Sequence, residues 1–347
     1  MTDFVQRTRA ARLSARRPFP RLLALLALVA GILAPFAPAA AQSTLNGRVV
    51  RAGGAVPNVA VELHRVATDT SGMIATGRAD AQGNFRFDVP RADTAAGFTV
   101  FFATAMVDGV RYFGPALHPG EPGTGYQVVV YDTTSARTAL DSLRVSRRDV
   151  IVIPGQRGGW EVAEVVRVQN PTGRTVVGPE GRPAFGMAMP RGATDFETEE
   201  PGVSEVADRE KPQDLVLMGD EVRAIVPLTP GGRDFFFRYR LPARTGTLNL
   251  PLSRRTDTLA VYVRQPAPGV EVEGLPTGEP FEAEGEQFLR YTGTALAPGR
   301  TISVRNPAHR GSPVDPRLAG GIAAGLVLAA GVWFALRRRP PTAPTPA

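Results

Sequence analysis

The chain has 347 residues, which is long enough for two or three domains with ordinary hydrophobic cores. It contains 37 glycines, 32 prolines and no cysteine, a composition that favours short strands joined by turns and excludes disulfides and thiolate metal sites. The formal net charge is +7, but the basic excess lies in residues 1–41 and 337–339. Because no basic stripe remains in the nearly neutral middle, the sequence argues against nucleic-acid binding.

Residues 1–41 have the pattern of a secretory signal peptide. A basic region ending at Arg21 precedes an uninterrupted apolar run at 22–33, and small residues lead to Ala41. As a helix the run would measure about 18 Å, which is too short for a hydrocarbon layer of about 30 Å. We expect cleavage between Ala41 and Gln42. The alternative is an uncleaved anchor that extends through Ala41.

Residues 42–137 predict a first β-sandwich domain. Between 84 and 89, Phe85, Phe87 and Val89 alternate with polar residues, as in a strand with one buried and one solvent-exposed face. The preceding residues 80–83 predict a turn, in which Asp80 caps the corner and Gly83 adopts a positive φ.

Segments within 43–134 resemble the carboxypeptidase regulatory-like domain. They are LNGRVVRAGGAVPNVAVELHR, ATGRADAQGNFRFDVP with its Asp-x-x-Gly-x-Phe-x-Phe corner, and FTVFFATAMVDGVRYFGP. The resemblance implies a small transthyretin-like sandwich of about seven strands. Domains of this family are accessory modules without a peptidase centre of their own.

The same alternation continues beyond residue 137, where the chain resembles exported bacterial β-sandwich domains without matching a named family. We expect a second sandwich at 138–242 and a smaller third one at 243–306. No amphipathic helical pattern is evident between the two apolar ends. The fold-class prediction is therefore all-β, with tandem β-sandwich domains and one C-terminal transmembrane helix.

The C-terminal segments predict a membrane anchor. A linker at 307–317 leads to nineteen uncharged residues at 318–336, about 28 Å as a helix, followed by a tail at 337–347 that begins with three arginines. Arginines beyond the span predict that the tail is cytoplasmic. The spacing of Gly321 and Gly325 would allow two such helices to approach closely. We therefore expect a single-pass protein of the bacterial inner membrane, with its bulk periplasmic.

Candidate catalytic and metal-binding residues are few. The chain has three histidines, His64, His118 and His309, and we expect His64 to face solvent. His118 and Glu121 have the His-x-x-Glu spacing of zinc carboxypeptidases, but a loop with Pro and Gly favours an ordinary surface. No Gly-x-Ser-x-Gly elbow accompanies the histidines. Other weak candidates are a methionine pair and an acidic segment with one lysine: Met187, Met189, Glu197, Glu199, Glu200, Glu205 and Lys211.

Aromatic side chains are the remaining candidates, because flat rings on sandwich faces bind sugars. In FFFRYR we expect Phe235, Phe237 and Tyr239 on the inner face of a strand and Phe236 on the outer face. Trp160 begins a strand and is either a core residue or a ligand platform.

These observations favour a non-enzymatic protein. The sequence predicts no catalytic, cofactor-binding or metal residues and no cofactor. We expect a membrane-anchored extracytoplasmic β-domain protein that presents a protein-interaction or assembly surface in the bacterial envelope. The alternative is a carbohydrate- or peptidoglycan-binding module on the same anchor, and a hydrolase is the least favoured class.

Overall fold

The computed structural model describes residues 43–68, 70–90, 98–155, 159–198, 214–242 and 245–306. Within these residues the chain is built almost entirely of strands, which confirms the all-β fold class. None of the helices in this part is long and apolar enough to cross a membrane. The predicted signal peptide at 1–41, the linker at 307–317, the membrane helix at 318–336 with Gly321 and Gly325, and the tail lie outside the described residues.

The first sandwich is formed by eight strands in two sheets. In one sheet the central strand β1 pairs with β2 and β5 in antiparallel fashion and with β8 in parallel, and in the other the antiparallel order is β4-β3-β6-β7. The strands are β1 (Ser43–Arg51), β2 (Gly54–Ala55), β3 (Ala60–Ala67), β4 (Ser71–Arg78), β5 (Asn84–Val89), β6 (Thr99–Val107), β7 (Val110–Phe113) and β8 (Tyr126–Val129).

The predicted corner between β4 and β5 is present. Oδ1 of Asp80 accepts hydrogen bonds of 2.8 Å from the backbone N–H groups of Gln82 and Asn84. Gly83 has φ +79°, a left-handed conformation that favours glycine. The turn delivers Phe85 and Phe87 to the core, where both are 6% exposed, so the alternation predicted for β5 is confirmed.

The rest of the described chain forms a second, larger sandwich. It contains a seven-stranded sheet, β14-β17-β11-β10-β19-β22-β21, and two three-stranded sheets, β13-β16-β15 and β18-β23-β20. One short helix, α1 (Arg137–Ser142), precedes it, and a 3-10 turn lies at Pro179–Gly181. Its strands, with the small linking strand β9 placed before them, are β9 (Thr133–Thr134), β10 (Arg144–Pro154), β11 (Trp160–Asn170), β12 (Thr175–Val176), β13 (Phe185–Ala188), β14 (Thr194–Thr198), β15 (Leu215–Met218), β16 (Glu221–Ala224), β17 (Gly231–Leu241), β18 (Thr247–Leu252), β19 (Thr256–Arg264), β20 (Glu271–Glu273), β21 (Glu279–Ala283), β22 (Glu286–Leu296) and β23 (Arg300–Arg305).

The predicted division of this region at residue 242 is wrong. Strand β10, from the predicted second domain, pairs in parallel with β19 from the predicted third. One cluster of buried side chains runs from Ala139 to Val304 and joins the seven-stranded sheet to both smaller sheets. The described residues between 138 and 306 therefore share one main core, because the pairing of β10 with β19 makes one sheet of both predicted domains.

The two sandwiches meet at a short, closely bonded junction. Strands β9 and β12 pair in parallel, and the hydroxyl of Tyr112 contacts both the carbonyl oxygen of Tyr131, at 2.8 Å, and Oγ1 of Thr175, at 2.9 Å. Val176 is buried in the core of the second sandwich, whereas Val177 packs against the core of the first. Adjacent residues thus contribute to both cores.

Candidate functional site

The predicted His-x-x-Glu pair does not form a metal site. The backbone N–H of His118 donates to Oε2 of Glu121 at 2.7 Å, so the carboxylate caps the loop. The His118 ring instead meets Phe98 edge-on, with 6.5 Å between ring centroids. In the residues that the structure describes, no three His, Cys, Asp or Glu side chains are grouped to hold a metal ion. His309 lies outside those residues.

Trp160 is a core residue and not a ligand platform. It is 1% exposed, and its ring Nε1 donates to the carbonyl oxygen of Thr245 at 2.7 Å. In β17, Phe235, Phe237 and Tyr239 are buried as the alternation predicts. The intervening Phe236 is half-buried and lies opposite Val165 of β11, so it offers less open ring surface than a stacking platform would.

The remaining weak candidates are distributed over core and surface. Met187 and Met189 are each 2% exposed and belong to the core. Glu197 forms an ion pair with Arg238 on the neighbouring strand. The other members of the acidic segment, Glu199, Glu200, Glu205 and Lys211, lie outside the described residues.

A buried ionic network crosses three strands of the seven-stranded sheet and reaches a fourth strand, β18, in a smaller sheet. The Arg148 side chain donates from Nε and Nη2 to the Glu164 carboxylate at 2.7 and 3.0 Å, and from Nη1 to the carbonyl oxygen of Pro251 at 3.0 Å. The hydroxyl of Tyr239 donates to Glu164 at 2.8 Å. The side chains of Arg148 and Glu164 are 1% and 0% exposed, so this network holds β10, β11 and β17 together without access to a substrate.

The electrostatics of this network follow from its burial. Burial, and next the negative charge of Glu164, raises the pKa of Tyr239 well above its ordinary value. Burial opposes the charge on Arg148, but the charge and hydrogen bonds of Glu164 outweigh it and raise the Arg148 pKa. Tyr239 therefore keeps the hydroxyl proton that it donates to Glu164, and Arg148 keeps the positive charge that its ion pair with Glu164 requires.

The most prominent candidate site is on the solvent side of the sheet β4-β3-β6-β7. Strand pairing places His64 between Met73 of β4 and Phe102 of β6, and it places Phe113 of β7 beside Thr104 of β6. We call this surface the outer face. It consists of Glu62, His64, Met73, Phe102, Thr104, Met106, Arg111 and Phe113.

The outer face has a strongly exposed apolar component. Phe113 is 62% exposed, Met73 54% and Met106 44%. The ring of Phe102 lies between those of Phe113 and His64, with centroid distances of 6.0 and 5.2 Å. Isolated apolar side chains are ordinary on protein surfaces, but a contiguous group is typical of an interaction surface.

At the centre of the outer face, the carboxylate of Glu62 is paired with neighbouring side chains. Nη1 of Arg111 lies 3.1 Å from Oε2 of Glu62, and Nε2 of His64 lies 3.2 Å from the same oxygen. The hydroxyl of Thr104 also donates to it, at 3.4 Å. Because the carboxylate already has its partners, a docking molecule would not have to desolvate an unpaired charge.

This polar group lacks the geometry of a catalytic relay. In a hydroxyl, imidazole and carboxylate relay, the carboxylate and the hydroxyl bind different ring nitrogens. Here Glu62 and Thr104 both approach Nε2 of His64, at 3.2 and 3.3 Å. His64 lies on the outer face as expected, but its side chain is only 15% exposed because it stacks on Phe102. The arrangement can bind a surface, but it does not activate a nucleophile.

Sequence reasoning missed the outer face for an identifiable reason. Strand β4 was not predicted, since its sequence SGMIATGR has no apolar alternation. The alternation of side chains along β6 and β7 could have indicated it. Phe102 lies between the buried Phe101 and Ala103, and Phe113 follows the buried Tyr112. Each therefore points away from the core.

Comparison with known proteins does not assign the chain to a family. No family model matches it, and no curated protein matches it. An M1 zinc metallopeptidase from Deinococcus radiodurans is similar at 16% identity and a TM-score of 0.27, over 47% of this chain and 42% of that chain. A variant of a two-domain M1 zinc metallopeptidase bound to L-tryptophan is similar at 15% identity and a TM-score of 0.28, over 51% and 44%.

A third solved structure, BcpA, the major pilin subunit of Bacillus cereus, is similar at 8% identity and a TM-score of 0.20, over 76% of this chain and 85% of that chain. The chain spans less than half the length of the peptidases that it matches. At these scores none of the similarities carries a functional argument.

Proposed function

We propose that the chain is a non-enzymatic protein of the bacterial envelope that presents the outer face of its first sandwich to a protein partner. In this proposal, residues 1–41 direct export, residues 318–336 anchor the chain in the inner membrane, and the bulk is periplasmic with a cytoplasmic C-terminus. The observation that carries the proposal is the exposure of Phe113, Met73 and Met106 on one sheet face.

The chemistry of this surface suits a protein partner. Aromatic and methionine side chains are enriched in protein interfaces, and flexible methionines adapt to the shape of an opposing surface. Burying the exposed parts of Phe113, Met73 and Met106 would stabilise a complex by about 1 kcal/mol each. Because Glu62 is already paired, covering it in a complex costs little desolvation energy.

The carbohydrate- or peptidoglycan-binding alternative is supported by one observation. The exposed ring of Phe113 lies in the same sheet face as Arg111 and Glu62, and a sugar could stack on the ring and hydrogen bond to the charged groups. Of the two rings that the sequence offers as platforms, Trp160 is buried and Phe236 is half-buried. Protein binding is favoured because three apolar side chains are exposed together beside an already paired polar group.

The test compares matched charge substitutions on the two sandwiches. Phe113→Asp places a carboxylate on the outer face, and Ile225→Asp places one at a residue of the second sandwich that is 47% exposed. The full-length variants are extracted from envelope membranes in mild detergent and run on native gels. We expect the wild-type protein and Ile225→Asp to migrate in the same larger complex and Phe113→Asp to lose it.

Two outcomes would reject the protein-partner proposal. One is an identical complex for the wild type and both variants, which would show that the outer face is not the docking surface. The other is the absence of any protein complex together with retention on peptidoglycan that depends on Phe113, which would select the alternative function.

A further inference from the structure

Strand β4 is an open edge of the first sandwich. Among the described strands it pairs only with β3, and seven of its eight residues are exposed. An edge strand presents a row of backbone N–H and C=O groups that can pair with another extended chain. Native proteins usually discourage such pairing with charges, prolines, β-bulges or short edges.

The comparable edges of this chain carry charges or prolines within the strand, whereas β4 carries one charge, at its last residue, and a bulge. Strand β4 is the longest edge strand in the described part of the chain, and it has neither a charged residue nor a proline before Arg78. Every other described edge strand of five or six residues contains one or both: β5 (Arg86, Asp88), β14 (Asp195, Glu197), β18 (Pro251) and β21 (Glu279, Pro280, Glu282).

A bulge determines which part of β4 can pair. Leu63 lies opposite Ala75, but the next residue, His64, lies opposite Met73, so Ile74 is the extra residue. Because a bulge interrupts regular pairing, the longer regular stretch of this edge is residues 75–78, which ends at Arg78. Met73 and Ile74, which are 54% and 41% exposed, lie immediately beside it.

We propose that β4 accepts an extended, uncharged segment of a partner protein as a fifth strand of this sheet. The partner's backbone pairs with residues 75–78, and its apolar side chains contact Met73 and Ile74. The row of backbone groups identifies the ligand class, because an extended polypeptide matches donors and acceptors that alternate along a strand. This inference rests on the proposed function and specifies the partner as a peptide segment at one edge of the outer face.

The test uses random eight-residue peptides displayed on phage and selected against the detergent-solubilised full-length chain. We expect enriched peptides to alternate apolar and polar residues and, when bound, to slow amide hydrogen exchange at residues 75–78 at least about tenfold. Thr76→Lys, which charges the edge, is expected to weaken peptide binding at least about tenfold. The matched control is Thr301→Lys, at an exposed position on β23 of the second sandwich, where Thr301 pairs with Pro251 of β18.

A second measurement does not depend on how the variants fold. Methylating alternate backbone nitrogens of the synthetic peptide removes donors on one edge while leaving its side chains in place. We expect one methylation pattern to abolish binding and the complementary pattern to have little effect.

The proposal is overturned if no peptide is enriched, if bound peptides protect amides outside β4, or if neither methylation pattern changes binding. A negative result here combined with loss of the native complex in Phe113→Asp would reject strand addition alone and leave the protein-partner proposal standing.

Discussion

The two sandwiches differ in where they place charged and apolar side chains. The first has no ionised group among its buried described residues and exposes apolar side chains on its outer face. The second buries the Arg148–Glu164 pair in its core. It also carries ion pairs, such as Arg264 with Glu286, on the solvent side of its seven-stranded sheet. Two sandwiches of the same fold class can therefore differ in what their sheets present to solvent.

This difference suggests a division of labour within one chain. An exposed apolar face lowers solubility and is retained where it binds something. A sheet whose solvent side is occupied by paired charges discourages association. We therefore interpret the first sandwich as the interacting module and the second as its support, with the junction at Tyr112 and Thr175 joining the two cores.

The largest expected effect comes from breaking the buried pair of the second sandwich. Glu164→Ala would leave the Arg148 cation buried without its partner, and we expect it to lower the free energy of unfolding by about 3–5 kcal/mol. Replacing both residues, as Arg148→Met with Glu164→Leu, should recover most of that loss, because no unpaired charge remains. Denaturant unfolding of the variants measures both effects, and a cost below about 1 kcal/mol for Glu164→Ala would contradict this account.

A second pair of variants compares a buried and an exposed phenylalanine within the first sandwich. Phe101 is 1% exposed and Phe113 is 62% exposed, although both lie in the same sheet. We expect Phe101→Ala to cost about 3–5 kcal/mol and Phe113→Ala to change stability by less than about 0.5 kcal/mol. Similar thermal shifts for the two variants would show that Phe113 is part of the core.

The junction is expected to have a smaller effect. Tyr112→Phe removes the hydroxyl that contacts Tyr131 and Thr175, and it should cost about 1 kcal/mol. Calorimetry would show the loss. Thr292→Val, at an exposed position on β22, serves as a control for removing a hydroxyl far from the junction, and equal costs for the two variants would argue against the junction.

The smallest effect concerns alkaline pH. Burial and the charge of Glu164 raise the pKa of Tyr239 above its ordinary value of 10.0, so above that pH the unfolded tyrosine loses its proton while the folded one keeps it. The contribution of Tyr239 to stability is therefore present below pH 10 and falls as pH rises towards the folded pKa. Between pH 9.5 and 11, Tyr239→Phe should lose stability less steeply than the wild type, and parallel slopes would contradict the shift.

Much of the fold could be predicted from alternation alone. The strand at 84–89 and its turn at Asp80 are as expected, because both depend on local chemistry. The domain boundary at 242 was wrong because β10 and β19 pair across more than a hundred residues, and alternation carries no information about such partners. Alternation along β11 could have predicted that Glu164 is buried, because it lies on the same face of the strand as Val162 and Val166.

The candidate site was harder to predict for a physical reason. The outer face is assembled from four strands, and one of them, β4, is an exposed edge without an apolar pattern. The side chains that matter there, Met73 and Phe113, are exposed, and a search for core positions passes over them. The proposed export signal and membrane anchor depend on sequence patterns outside the described residues.

The most direct test of the central claim is site-specific photocrosslinking in intact cells. A benzophenone side chain is introduced at position 113 or, as the matched control, at position 225 of the full-length chain. We predict a discrete protein adduct from position 113 that is absent from position 225. No adduct at either position, or the same adducts at both, would contradict the claim that the outer face of the first sandwich is where this chain meets its partner.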